Sequence, residues 1–197
     1  MASWSEFAAD EPRLADEIRL LIQQYGPGFG YLATVRADGG PRVHPVSPLI
    51  TDDGLWCFVI DSPKRRDLER DGRYALHSFP PEESDDEAYV AGRARPVSDP
   101  ATVARLARLG RATPQGDWRL FEFTVDVAML TRRDPVVRSG AGGPQVRLWL
   151  DPRGSGPASR HEPLDPLRAA PARRDDPLVP AEDRRGRHGF DTRRPAA

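Results

Sequence analysis

The sequence predicts a mainly β fold: six or seven mostly antiparallel strands curled into a small closed or partly open barrel, with short helices at its periphery. Two observations carry this. Turn signals occur in succession, Asp38-Gly39-Gly40 and then Thr51-Asp52-Asp53-Gly54, each between apolar segments of strand length. Such segments then recur as far as residue 150, and only brief stretches between them have helical spacing.

The first element is a helix over Pro12–Tyr25. Leu14, Ile18, Leu21, Ile22 and Tyr25 fall on one stripe, Asp10 or Glu11 precedes a first-turn proline, and Gly26-Pro27-Gly28 stops the run. Tyr31–Arg36 reads as a strand with Tyr31, Ala33 and Val35 on one face, and Arg42–Ile50 as its hairpin partner. Pro45 and Pro48 remove two ladder donors from that second strand, which places it at an edge or a bulge. Leu55–Ile60 is apolar almost throughout, as in a strand buried on both faces. Asp61-Ser62-Pro63 opens a short helix to about Arg70, which Asp71-Gly72 ends. Strands follow at Tyr74–Phe79 and Ala88–Pro96, with an acidic loop between them. A helix at Pro100–Leu109, a long strand at Arg119–Leu130 and a last strand at Gln145–Leu150 complete the series.

Composition narrows the function. The 29 basic and 30 acidic residues nearly cancel, so no global field draws the chain to nucleic acid or to an anionic membrane. No apolar run nears the roughly 18 residues of a membrane span. Met1–Asp10 lacks the basic-then-apolar pattern of a secretory signal, and Cys57 is the single cysteine, so a cytoplasmic, reducing location is expected. The four histidines lack metal-ligand spacing, so no metal site is expected. Of the 29 basic residues, 28 are arginine, a coding bias that makes the one lysine, Lys64, stand out. Residues 151–197 hold 8 prolines, 10 arginines and 8 acidic residues with few large apolar groups, too little to offset the entropy of ordering. The expected organisation is an N-terminal extension over 1–9, a barrel domain over 10–150 and a disordered tail over 151–197. In that tail, arginine clusters interleaved with acids favour a solvated segment over nucleic-acid contact.

Two local features carry chemistry. Ser62 stands as N-cap and Pro63 as first helical residue, followed by Lys64, Arg65 and Arg66 in the first turn. Cations there oppose the helix dipole, and a bound anion reverses the sign: free N–H groups, the Ser62 hydroxyl and the cations can together hold a phosphate. The alternative is a solvated basic turn. The second feature is Arg42-Val43-His44-Pro45-Val46-Ser47-Pro48, an edge whose unpaired backbone groups suit the polar rim of a flat heteroaromatic ring, or simply a blunted edge that resists aggregation.

Together these segments resemble the pyridoxamine 5'-phosphate oxidase-like family of FMN-binding split β-barrels. The resemblance rests on Tyr31 through Val46, on Asp53-Gly54-Leu55-Trp56-Cys57-Phe58, on Ser62-Pro63-Lys64-Arg65-Arg66-Asp67-Leu68 and on Asp71-Gly72-Arg73-Tyr74-Ala75-Leu76. It implies a homodimer with FMN at the subunit interface. It further implies Arg42 and Lys64 as phosphate ligands assisted by Ser62 and Arg65, the ring along His44, Pro45, Val46 and Ser47, with Val43 on the same strand, and Phe58 and Val59 on the ribityl side. Trp149 matches the family's late aromatic residue and is expected from the partner subunit. The true oxidase's basic and aromatic C-terminal signature is missing after Asp151, which argues against vitamin B6 as substrate. The resulting expectation is a flavin-dependent oxidoreductase of unknown substrate. A related deazaflavin coenzyme, with Arg36, Arg65 and Arg66 on its longer tail, is the alternative within that class. A non-catalytic flavin or haem carrier, with His44 or His77 as axial ligand, is the alternative outside it.

Overall fold

The computed structural model describes residues 1–26, 28–79, 81, 84–110, 117–132 and 144–154. The expected tail from residue 155 onward, and Glu82 and Glu83 of the acidic loop, lie outside the described residues. The chain forms helices α1 (Trp4–Asp10), α2 (Pro12–Gln23), α3 (Pro63–Arg70) and α4 (Pro100–Leu109). Its strands are β1 (Gly30–Val35), β2 (Pro41–Val46), β3 (Leu49–Thr51), β4 (Gly54–Ile60), β5 (Arg73–Ser78), β6 (Glu87–Val97), β7 (Trp118–Phe123), β8 (Val127–Arg132) and β9 (Gln145–Leu150).

All pairings are antiparallel, in the order β2-β1-β5-β6-β7-β4-β3, with β8 joining β6 to β9. This is a curled half-barrel sheet, the split barrel anticipated, with nine strands among the described residues rather than six or seven. Both extra strands come from breaks in segments read as single. Arg42–Ile50 divides at Ser47-Pro48: Pro45 still pairs with Tyr31 in β2, but Pro48 has no N–H to offer, and β3 turns away to β4. Arg119–Leu130 divides at Thr124–Asp126. There the chain switches along one edge of β6, so that β7 pairs Ala94–Val97 and β8 pairs Glu87–Ala91. Gly92 marks the switch, since a Cβ at that position meets the Thr124 carbonyl oxygen at 2.1 Å.

Alternation sorts the strand residues. Leu32, Leu55, Cys57, Val59, Leu76, Val90, Phe121, Phe123 and Leu130 are buried in the barrel. The helix α2 stripe Leu14, Ile18, Leu21 and Ile22 joins them, whereas Tyr25 lies beyond the helix end and is exposed. Helix α1 was not anticipated. Ser3 and Glu6 close a capping box (Glu6 N–H to Ser3 Oγ 3.1 Å, Ser3 N–H to Glu6 Oε2 2.7 Å), and the helix buries Trp4 and Phe7 completely. A second small cluster, Trp56, Leu106 and Leu120, seats α4 on the other face of β4 and β7.

The Gly92 contact yields a test. Gly92→Ala is expected to lower stability by about 1–3 kcal/mol in equilibrium urea unfolding, because the methyl group has no space beside Thr124. An unchanged midpoint would mean that the strand switch is looser than described.

Candidate functional site

The break between β2 and β3 opens a groove. Pro45, Val46, Ser47, Pro48 and Leu49 form one wall, Phe58 and Ile60 of β4 form the other, and Trp118, Gly110 and Lys64 complete a space of 380 Å³. The backbone of β2 pairs only with β1 among the described residues, so its other edge faces this seam. Lys64 makes no ion pair or hydrogen bond with any described residue, although its charge reaches His44 and Cys57. Five expected residues therefore meet in one groove: Pro45, Val46, Ser47, Phe58 and Lys64. Leu49, Ile60 and Trp118 were not anticipated. The register Ile60↔Trp118 brings the last two together, and pairing across 58 residues leaves no local signal.

His44 precedes the groove residue Pro45 on β2 but does not itself line the groove. Burial, then the charges of Lys64 and Arg42, push its imidazole below its ordinary value of 6.5, and Asp67 opposes them only in part. The ring is neutral at neutral pH. Its Nε2 is buried with no hydrogen-bond partner among the described residues. Cys57, behind the same strand, is raised to about 12 by burial and offers no nucleophile.

Arg42 is brought not to the groove but to a second depression of 460 Å³, with Arg36, Arg66, Arg70, Asp38, Ala37, Pro63 and Asp67. Asp67 organises it. Its carboxylate is 4% exposed and accepts from Thr34 Oγ1 (3.0 Å), Arg42 Nε (2.7 Å) and Arg70 (3.3 Å). Burial alone raises its pKa, but the bonds from Arg42 and Thr34 outweigh burial and hold the carboxyl below its usual range.

The other expected residues lie elsewhere. Arg65 is buried and engaged, with Nη1 on the Asp117 carbonyl and Nη2 on the Asp117 carboxylate, both at 2.7 Å. Ser62 is the N-cap residue by position, but its hydroxyl donates to the Ile60 carbonyl (3.0 Å) and caps no helix N–H. Val59 points into the barrel, and Val43 is exposed on the far face of β2. Trp149 is in its own chain's core: Nε1 donates to Asp10 (2.6 Å) and the ring packs on Phe7 at 4.8 Å. Among the described residues no three His, Cys, Asp or Glu side chains group as a metal site, and no helix is long and apolar enough to cross a membrane.

The family model described as pyridoxamine 5'-phosphate oxidase matches residues 14–130, which contain the groove, the second depression and both strand breaks. The chain belongs to this family. Solved structures share the fold. One is a haem-binding protein from Mycobacterium smegmatis (21% identity, TM-score 0.50), whose match covers 70% of this chain and 58% of that one. Another is HupZ of group A Streptococcus (19%, TM-score 0.50, 65% and 97%). A third is a Clostridium acetobutylicum protein related to general stress protein 26 of the pyridoxinephosphate oxidase family (12%, TM-score 0.50, 74% and 95%). No curated protein matches the chain.

The lowered pKa of His44 has a consequence for stability. Below pH 6.5 the unfolded chain binds a proton that the folded chain resists, so the contribution is complete above 6.5 and declines as pH falls toward the folded-state value. Between about pH 7 and about pH 5, wild type is expected to lose more thermal stability than His44→Gln. Identical slopes would show that this imidazole is not desolvated.

Proposed function

We propose that this family member binds FMN in the β2–β4 groove and works as a flavin-dependent oxidoreductase on a small molecule. The observation that carries the reading is Lys64, a cation without a carboxylate partner among the described residues, set in a groove that is otherwise mostly apolar. A ring system with one anionic end matches that distribution of charge. Lys64 binds the phosphate. Pro45, Val46 and Ser47 flank the ring on the unpaired side of β2, and Phe58 packs opposite them. When bound, the flavin supplies hydride-transfer chemistry, and the chain supplies position and electrostatics. A deazaflavin coenzyme fits the same argument.

The proposed active unit is a homodimer. Outward-facing residues form a row across six strands, Val43–Ala33–Ala75–Ala91–Val127–Leu150, each the register partner of the next. Beside it runs Pro45–Tyr31–His77–Tyr89–Met129–Leu148. The small residues at its centre make the face flat, and Val43, Tyr31, Leu148 and Leu150 leave apolar surface in solvent. Pro45 belongs to both this face and the groove, so a second copy seated here borders the cofactor.

His44 also favours a second reading. A neutral imidazole with a free Nε2 is the form that ligates haem iron, and a haem carrier of this fold needs no catalytic residue.

An absorbance spectrum of the purified protein separates the readings, with a flavin spectrum and heat-released FMN expected and a Soret band favouring haem. Lys64→Ala is expected to weaken FMN binding by about 10- to 100-fold, from loss of one charged hydrogen bond. FMN binding that persists unchanged in Lys64→Ala would refute the phosphate assignment. Ala75→Arg, which puts a cation in the middle of the flat face, is expected to sediment as a monomer. A wild-type monomer at micromolar concentration would remove the shared-site model.

A further inference from the structure

We propose that β9 is a self-pairing edge, to which a second copy of this chain adds its own β9 as an antiparallel strand centred on Leu148. The contact rests on neither the cofactor groove nor the flat-face dimer: the face meets a partner through side chains, whereas an edge meets it through backbone N–H and C=O groups. Three strands keep an edge open among the described residues, β2, β3 and β9. The first two are blunted, β2 by Pro41 and Pro45 and β3 by a length of only three residues. The six residues of β9, Gln145–Leu150, include no proline, glycine or lysine. Its one charge, Arg147, turns inward to Glu17 (2.8 Å), as Trp149 turns inward to Asp10 (2.6 Å), so neither guards the edge. Val146, Leu148 and Leu150 stand on the opposite face, all three exposed. An open edge beside an apolar row is the template that strand addition uses.

The pattern of the strand selects a copy of itself as occupant and fixes the register. Pairing about Leu148 sets Leu148 against its own counterpart, Val146 against the partner's Leu150, and Arg147 against the partner's Trp149. The apolar rows of the two copies then run together on one face, and no like charges meet. Centring on Arg147 puts two guanidinium groups directly opposite each other, which is destabilising. Centring between Arg147 and Leu148 moves the partner's apolar row to the face where Arg147 and Trp149 stand. Centring on Trp149 shortens the ladder to Leu148–Leu150. Only the Leu148 register satisfies charge, face and length together. A ladder over Val146–Leu150 alone falls short of the roughly 1,200 Å² that stable interfaces bury, so the contact is weak between single chains and is duplicated by symmetry where two-chain units meet.

The test is disulfide trapping in the full chain, with diamide as the thiol oxidant. Cys57, the one natural cysteine, is buried, so wild type is the blank. In the proposed register Leu148→Cys faces its own copy at about 4.5–5.5 Å between Cα atoms, within disulfide reach. Val146→Cys lies roughly 13 Å from its counterpart, out of reach, but directly opposite Leu150→Cys of another chain. All three positions are exposed, and the unfolding midpoint of each variant is checked against wild type. Disulfide dimers are expected from Leu148→Cys and from an equimolar mixture of Val146→Cys and Leu150→Cys, with at least tenfold less from either of those two alone. No dimer from Leu148→Cys, or equal trapping by Val146→Cys alone, overturns the proposal. Adding Ala75→Arg separates this contact from the flat face. Trapping by Leu148→Cys that survives Ala75→Arg belongs to the edge; trapping that vanishes with it belongs to the face and overturns the proposal.

Discussion

Pro45 and Pro48 carry no backbone N–H, and the architecture turns on what the chain does between them. Pro45 keeps its place opposite Tyr31 in β2 with no donor on the free edge, and at Pro48 the strand ends, so β2 and β3 do not run on as one although they are separated by only Ser47 and Pro48. They become the two ends of the seven-strand path, so the covalent link itself draws those ends together. A fully hydrogen-bonded closure would fill the seam with ladder and leave nothing to bind. A covalent closure without a ladder leaves a gap lined by prolines and by the outer face of β4. The groove is therefore the defect in the barrel, and it persists because the rest of the sheet is paired.

Helix α3 stands between the groove and the arginine depression and serves both. Lys64 leaves it on one side, while Pro63, Arg66, Asp67 and Arg70 line the other. Asp67 is the fixed point. As a buried carboxylate it is costly unless every lone pair is used, and Thr34, Arg42 and Arg70 use them. Through Arg42 the α3 helix holds the exposed edge strand β2 from below. His44, two residues along, then feels the cations on both sides. Groove, imidazole and arginine cluster are thus mechanically one assembly, even though the two cavities are distinct.

Much of this was legible. Period-two apolar segments and turn dipeptides located seven strand segments, and the bounds of α4 and β9 were read as they stand, because local pattern decides them. The two strand breaks were not foreseen. One needs the knowledge that β6 presents a single edge to two successive strands, a tertiary fact. The other was half visible in the prolines but not in where each half would pair. Helix α1 was missed although Ser3 and Glu6 spell a capping box, a signal that seven residues of helix made easy to pass over. In the site, the linear segments supplied the strand wall and Lys64, but Ile60 and Trp118 meet only through long-range register. Trp149 shows the opposite failure: an aromatic residue late in the chain suited a ligand contact, and its bond to Asp10 makes it core instead.

The cations show why composition alone misleads. A sequence with 28 arginines invites every basic turn to be read as an anion site, yet the arginines here have different employments. Arg65, in the middle of the suspected phosphate turn, is the most buried of the three cations there and bonds Asp117 across the gap to β7. Its planar fork suits that fixed, bidentate duty. Lys64, its neighbour, faces an apolar groove where a fork would need two partners at a set angle and a point charge needs one at any. A compact ammonium on a flexible stem reaches a single anionic end without dictating the orientation of the ring attached to it. In a chain that otherwise writes every basic side chain but histidine as arginine, the one lysine stands where, on the proposed reading, a contact is made by charge rather than by shape.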